Sequence, residues 1–290
     1  NSYANRTHTY VNPGTYTVTI CGIIQGWFFT SYAAGRLQIR TVERWGQLQG
    51  RQVGPTEYEH PYFSYCSNLT LNTVQDTLDL TGVMQLDDMF RNCSSLTTVN
   101  NINSWNTSSI TSLLNMFSFS PVFNQALSFD TSQVTNMQGI FSFCTNFNQP
   151  FTFITSAVTD MMIMFWGATN FNQPLVQGQN GWDTSSVNYM CGMFAGAFAF
   201  NQNIGSWDVT SIIGNFDCGG LNPKFMGGFG YTLSSANLDL IYQGWASYNV
   251  PPGLVISFPY DVNYTILGGQ AARDVLTNTY GWIITDGGGV

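Results

Sequence analysis

Charge is the scarcest property of this chain. Only 8% of its residues are Asp, Glu, Lys or Arg, and Lys224 is its one lysine. With eight basic against sixteen acidic residues, the surface lacks the cationic groups that neutralise phosphates, which argues against nucleic acid as a partner. Histidine is almost as rare. His8 and His60 are too far apart for a recognisable zinc motif, and neither lies in a motif that builds a nucleophile elbow or an oxyanion hole. No run approaches the roughly 20 apolar residues that cross a bilayer, so no membrane insertion is expected. The six cysteines include no CxxC pair. Asp87, Asp88 and Glu57 could meet in space as a glycosidase-like acid pair, but nothing in the sequence singles them out. The expectation is a non-enzymatic protein with no catalytic residues, metal or cofactor.

What the chain does have is apolar and uncharged polar residues. Of its 290 residues 44% are hydrophobic and 15% aromatic, enough for a large core. Surface polarity must come from Asn, Gln, Ser and Thr, an unusual surface for a cytosolic protein, and the expected setting is extracellular or the cell surface. The first residues, Asn1-Ser2-Tyr3, lack an initiator Met and a charged leader. That is expected of a chain that has lost a leader or is a piece of a longer precursor.

The stretch FNQALSFDTSQVTNMQGIF, residues 123 to 141, returns in altered form along the chain. Phe63, Phe90, Phe117, Phe141, Phe165 and Phe194 form one column, spaced about 24 to 29 residues apart. Trp105, Phe129, Phe153, Trp182 and Trp207 form a second column in the same frame. Within a unit, Phe123 and Leu127 point inward from an extended segment, and Asp-Thr-Ser offers side-chain oxygens to cap a turn. Val134, Met137 and Phe141 then predict an apolar stripe on a short helical turn. Units of this length cannot bury their own apolar face and must stack. The predicted fold is an α/β repeat solenoid of leucine-rich-repeat-like coils, each a short strand plus a helical turn.

The segments CSSLTTVN at 93 to 100, WNTSSITSLLNMF at 105 to 117 and FNQNIGSWDVTS at 200 to 211 resemble the BspA-like leucine-rich-repeat surface proteins. NPGTYTVTICG with ERWGQLQG resembles the segment that often precedes these repeats. LSSANLDLIYQGWAS with AARDVLTNTYGWIITDGG resembles the unit that often closes them. The resemblance implies surface exposure and adhesive or structural roles, and carries no catalytic motif. The expected domains are 1–58, an N-terminal antiparallel β domain; 59–220, the repeats; and 221–290, a C-terminal α/β cap.

Several columns suggest sites. Asn124, Asn148, Asn172 and Asn201, with the glutamines that follow them, suit either the satisfaction of backbone groups at a bend or a polar stripe that binds glycans. Asp130, Asp183 and Asp208 stand one per unit, which favours capping over calcium, a metal needing six to eight oxygens. Cys191 and Cys218 are the candidate disulfide, and Cys21 has no evident partner. Cys66, Cys93 and Cys144 fall in a column of small residues and are expected as buried thiols, with a bridge between Cys66 and Cys93 as the alternative. Asn5, Asn68, Asn92, Asn106 and Asn263 begin candidate N-glycosylation sequons.

Two functions follow from this reading. One is a structural subunit that assembles end to end into a surface fibre or pilus-like filament. There, Tyr3, Asn5, Thr7, Thr9 and Val11 would add a strand to a neighbouring copy. The other is a monomeric surface adhesin that binds a protein or glycan through one face.

Overall fold

A computed structural model describes residues 12, 14–17, 24–25, 37–45, 48–49, 62–219 and 223–290. Regular structure is sparse. Strands β1 (Ile24–Gln25) and β2 (Leu48–Gln49) pair in parallel. After a 3₁₀ turn at Ile102–Ser104 the next regular element is helix α1 (Ser235–Ala246). Strand β3 (Val255–Ser257), helix α2 (Gln270–Asp274), a π-helical turn at Val275–Thr279 and strand β4 (Ile283–Thr285) complete the described residues. β3 and β4 also pair in parallel, so each described sheet is two-stranded.

This architecture overturns the expected α/β repeat solenoid. Where each unit should hold one strand and one helical turn, the described residues from 62 to 219 are turns, bends and loops apart from the 3₁₀ turn and isolated bridges. The antiparallel N-terminal domain is also contradicted, because the strand pair described there is parallel. Backbone geometry explains why the apolar stripe forms no helix. In a helix each N–H bonds four residues back. Here the N–H groups of Met137, Gly139, Phe141 and Phe143 donate instead to the carbonyls of Asp160, Met162, Met164 and Trp166, at 2.9, 2.9, 3.1 and 2.6 Å. The alternate N–H groups of Ile140, Ser142 and Cys144 bond three residues back. Gly139 and Phe143 adopt φ of 61° and 57°, a left-handed conformation that no right-handed helix can contain.

The segments meet through single parallel bridges, from Gln85 to Ser112, Asn136, Asp160 and Tyr189 in turn. Behind these bridges lie two columns of phenylalanine. Phe63, Phe90, Phe117, Phe141, Phe165 and Phe194 stack with ring centroids 5.6 to 6.0 Å apart. Phe123, Phe147, Phe171 and Phe200 form the second column, each about 4 Å from a ring of the first. Every one of these rings is buried. The shared ring faces make the core continuous from Trp45 to the C-terminal unit.

Helix α1 closes that core. Ser234 caps it by accepting the Asn237 N–H, and Leu238, Ile241, Tyr242 and Trp245 form its buried stripe. Trp245 stacks on Phe216 and donates its indole N–H to the Ile204 carbonyl at 3.1 Å. The helix backbone lies directly on Gly205, and a Cβ on Gly244 would overlap the Gly205 carbonyl. Both positions therefore require glycine. Asp217 ties the preceding loop to β3, accepting from the N–H of Phe225 and Ser257 and from the Ser257 hydroxyl at 2.8, 2.9 and 2.6 Å.

The stacked rings make one core residue diagnostic. Phe141→Ala removes a ring that touches Phe117, Phe147 and Phe165 and should cost about 3–5 kcal/mol in urea unfolding. A loss below about 1 kcal/mol would place Phe141 outside the core.

Candidate functional site

Asparagine side chains connect successive loops on one face. Asn124 Oδ1 accepts the Asn148 N–H and the Gln149 amide, both at 3.0 Å. Asn148 Oδ1 does the same for Asn172 and Gln173 at 2.9 and 3.0 Å, and Asn172 Oδ1 for Asn201 and Gln202 at 2.8 Å each. At the end of the row Asn201 Oδ1 takes the Ser234 N–H and the Asn237 amide, both at 2.8 Å. Helix α1 thus ends the ladder with the same two bonds that each loop supplies. The column fulfils a structural role, and its amide oxygens are turned to the neighbouring loop.

A second set of links runs through hydroxyls. Thr107, Thr131, Thr155 and Thr184 are buried, and each donates to a carbonyl of the next loop, at Asp130, Ile154, Asp183 and Asp208, over 2.7 to 3.0 Å. Three aspartates of this part of the loops form turns of their own. Asp130 accepts the Ser132 N–H, Asp183 the Ser185 N–H and Asp208 the Thr210 N–H, each at 2.9 Å. These bonds hold the Asp130 and Asp183 carboxyls below the usual carboxylate range. Among the described residues no group of three or more acidic, His or Cys side chains is placed to hold a metal.

The same loops also carry an aromatic row that the sequence reading missed. Phe119 stacks on Phe143 at 4.5 Å, and Phe143 tilts against Trp166 at 4.7 Å. Arg91 extends the row, with its guanidinium carbon 5.9 Å from the Phe119 ring centre and a 3.2 Å ion pair to Asp88. Phe119 is 37% exposed and Phe143 and Trp166 are half-buried. Phe119 and Phe143 have φ of 58° and 57°, a conformation that L residues adopt at a cost. Gly167 and Gly196 hold the matching positions in the next two loops with φ of 69° and 71°. The lack of a Cβ on Gly167 leaves room for the Phe143 ring. The only sequence signal was the aromatic two residues after a core Phe.

Cys191 and Cys218 are joined by a disulfide, with Cα atoms 5.0 Å apart. Cys66, Cys93 and Cys144 are buried. The Cys93 and Cys144 thiols donate to the Phe63 and Phe117 carbonyls at 3.1 and 2.9 Å, as Ser120 Oγ does to Phe90 at 2.7 Å. Burial pushes the Cys144 thiol far up, so it stays protonated. Of the sequons, Asn68 uses its amide on the Leu37 carbonyl, Asn92 is half-buried with φ of 60°, and Asn263 is half-buried. Asn106 is exposed, and its Oδ1 accepts the Ser108 hydroxyl at 2.8 Å. Asn5 and the proposed assembly strand Tyr3, Asn5, Thr7, Thr9 and Val11 lie outside the described residues, as do Cys21, His8, His60 and Glu57.

Asp87 is a carboxylate bonded to the neighbouring loop. Its Oδ1 accepts the Ser112 hydroxyl and the Leu114 N–H at 2.5 and 3.0 Å, yet burial outweighs both and raises its pKa. The folded protein therefore holds this proton more tightly than the unfolded chain. The resulting stabilisation is complete below the unfolded pKa, near pH 4, and is lost as pH rises through the folded value. Asp87→Asn keeps an oxygen for both donors and removes the buried charge. It should melt higher than the wild type at pH 7 and match it at pH 3. A lower melting temperature at pH 7 would contradict this account.

The family described as Mycoplasma protein of unknown function, DUF285, matches residues 60–153, 84–180 and 151–216. One pattern fits overlapping stretches because the sequence recurs. No curated protein and no solved structure matches the chain. The matched stretches run from 60 to 216, more than half of the 290 residues, and the protein belongs to the DUF285 family.

Proposed function

We propose that this protein is a non-enzymatic, extracellular or cell-surface adhesin that acts as a monomer and binds its partner through the aromatic row. The observation that carries the reading is the backbone strain at Phe119 and Phe143. Glycine would relieve it at both positions, as it does at Gly167 and Gly196, yet the chain places an exposed ring at Phe119 and a half-buried one at Phe143, after Tyr65 and Asn92 at the matching positions of the two preceding loops. Aromatic residues and arginine are enriched at protein-binding surfaces. The Cys191–Cys218 disulfide suits an oxidising compartment. The proposed kinship with BspA-like surface proteins points the same way.

The end-to-end filament remains the second reading, and the C-terminal edge weighs against it. The outer strand β4 has its Ile284 carbonyl occupied by the Arg273 guanidinium at 3.2 Å. Arg273 also bonds Asp286 at 2.8 Å, and Tyr242 bonds the same carboxylate at 2.6 Å. A charged, hydrogen-bonded side chain on an edge discourages the addition of another strand.

The test is a double variant, Phe119→Gly with Phe143→Gly. Glycine suits both backbone conformations, so the variant should fold and sediment as a monomer like the wild type. Beads coated with wild-type protein should attach to immobilised extracellular-matrix proteins or cell-wall polysaccharides, and beads coated with the variant at least about tenfold less. Equal attachment by the two would reject the aromatic face. Wild-type protein that grows into fibres with concentration would instead restore the filament.

A further inference from the structure

The column that carries the hydroxyl links between loops lacks a hydroxyl at both of its ends, at Val209 after Thr184 and at Leu80 before Thr107, and the cleft lies at the second of these. In the column of Thr107, Thr131, Thr155 and Thr184 the earlier loop carries Leu80, whose carbonyl accepts the Val83 N–H just as the Thr107 carbonyl accepts that of Ile110. Leucine has no hydroxyl to donate to the Asn106 carbonyl, the position equivalent to those that Thr107, Thr131, Thr155 and Thr184 reach. At this step the loops part into a cleft of about 330 Å³. Its volume lies at the low end of the range of roughly 300–1,000 Å³ for small-molecule sites.

The cleft lining has two characters. Thr77, Thr81, Ser104 and Ser109 bring hydroxyls to an exposed rim, together with the Asn106 amide and the Asp79 carboxyl. The floor is formed by Leu78 and Leu80, both buried. Asp79 Oδ1 accepts the Thr81 N–H at 2.9 Å, the same turn that Asp130 makes with Ser132, so the carboxyl is held in place on the rim. A wholly apolar ligand would strand the rim hydroxyls without partners. An anion would find no basic side chain among the described lining residues, on a chain of formal net charge −8. A neutral, polyhydroxylated ring satisfies both surfaces, with its C–H face on the leucines and its hydroxyls on the rim.

We infer that the cleft between residues 77–82 and 104–109 binds one neutral pyranose unit of a glycan. The inference rests on the reading of the protein as a surface-binding protein, but it places this second site away from the aromatic row.

The full chain can be titrated with methyl β-D-glucopyranoside, methyl β-D-galactopyranoside and methyl α-D-mannopyranoside, followed by saturation-transfer NMR, with N-acetylneuraminic acid as the anionic probe. At least one neutral glycoside should bind, in the millimolar range, and more tightly than the anionic sugar. Ser109→Phe fills the cleft from an exposed position and should weaken binding at least tenfold with an unchanged melting temperature. Leu80→Thr supplies the missing hydroxyl and should weaken binding likewise, with a lower melting temperature because Leu80 is buried. Should Leu80→Thr fail to fold, the Ser109→Phe result stands alone. The double glycine variant at Phe119 and Phe143 should bind the glycoside as the wild type does. Absence of binding by all three neutral glycosides, or undiminished affinity in Ser109→Phe, would overturn the site. Glycoside binding lost only in the double glycine variant would overturn the cleft and leave the adhesin reading in place.

Discussion

One asparagine oxygen per loop, accepting the backbone N–H of the next, is the interaction on which the described structure from Asn124 to α1 depends. Buried N–H and C=O groups must be paired, and helices and sheets are the usual means. This chain buries an aromatic core under segments that are almost entirely turn and loop. Its pairing is therefore divided. Alternate backbone N–H groups reach the next segment and the others close tight turns. Where the backbone bends away, Asn, Thr, Ser and Cys side chains supply the missing donor or acceptor. A surface rich in uncharged polar residues and poor in charge follows from the same demand, because amides and hydroxyls both donate and accept while a carboxylate only accepts.

That division also shapes the surfaces available for binding. Turns that alternate right- and left-handed residues place one side chain inward and turn another outward every few positions. Inward go the stacked phenylalanines. Outward go Phe119 and Phe143, on backbone that glycine would occupy with less strain and that Tyr65 and Asn92 occupy at the matching positions of the two preceding loops. Glycine in the next two loops ends the phenylalanine run, and Trp166, one residue before Gly167, closes the row. Beside Leu80, where the column lacks a hydroxyl, lies a cleft.

The aromatic columns are legible in the sequence because burial demands the same residue type at every turn of the pattern, and Phe117, Phe141 and Phe165 recur visibly. The backbone between them is not. Val134, Met137 and Phe141 have helical spacing, and only the hydrogen bonds to the next segment, together with the left-handed Gly139, show that no helix forms. Spacing reports which residues face inward, and several backbone paths produce the same facing. The N-terminal alternation of Thr and Val likewise suggested antiparallel pairing, while the described pair β1–β2 is parallel. The aromatic row escaped notice because a Phe beside a core Phe reads as more core until its exposure is known. The role of Leu80 was equally hidden, since leucine is unremarkable in a sequence and becomes informative only beside four threonines that share its position.

The most direct measurement of the account is native-state hydrogen exchange at the backbone amides of Asn148, Asn172, Asn201 and Ser234. Each donates to an asparagine side chain rather than to a helix or strand partner. If these side-chain bonds hold the loops together, the four amides exchange only through the same cooperative opening as the amide of the core residue Phe141, with matching opening free energies. Exchange of the four near the rate of an unstructured peptide, while Phe141 stays protected, would show that the ladder is ornamental and that the aromatic core alone maintains the stack.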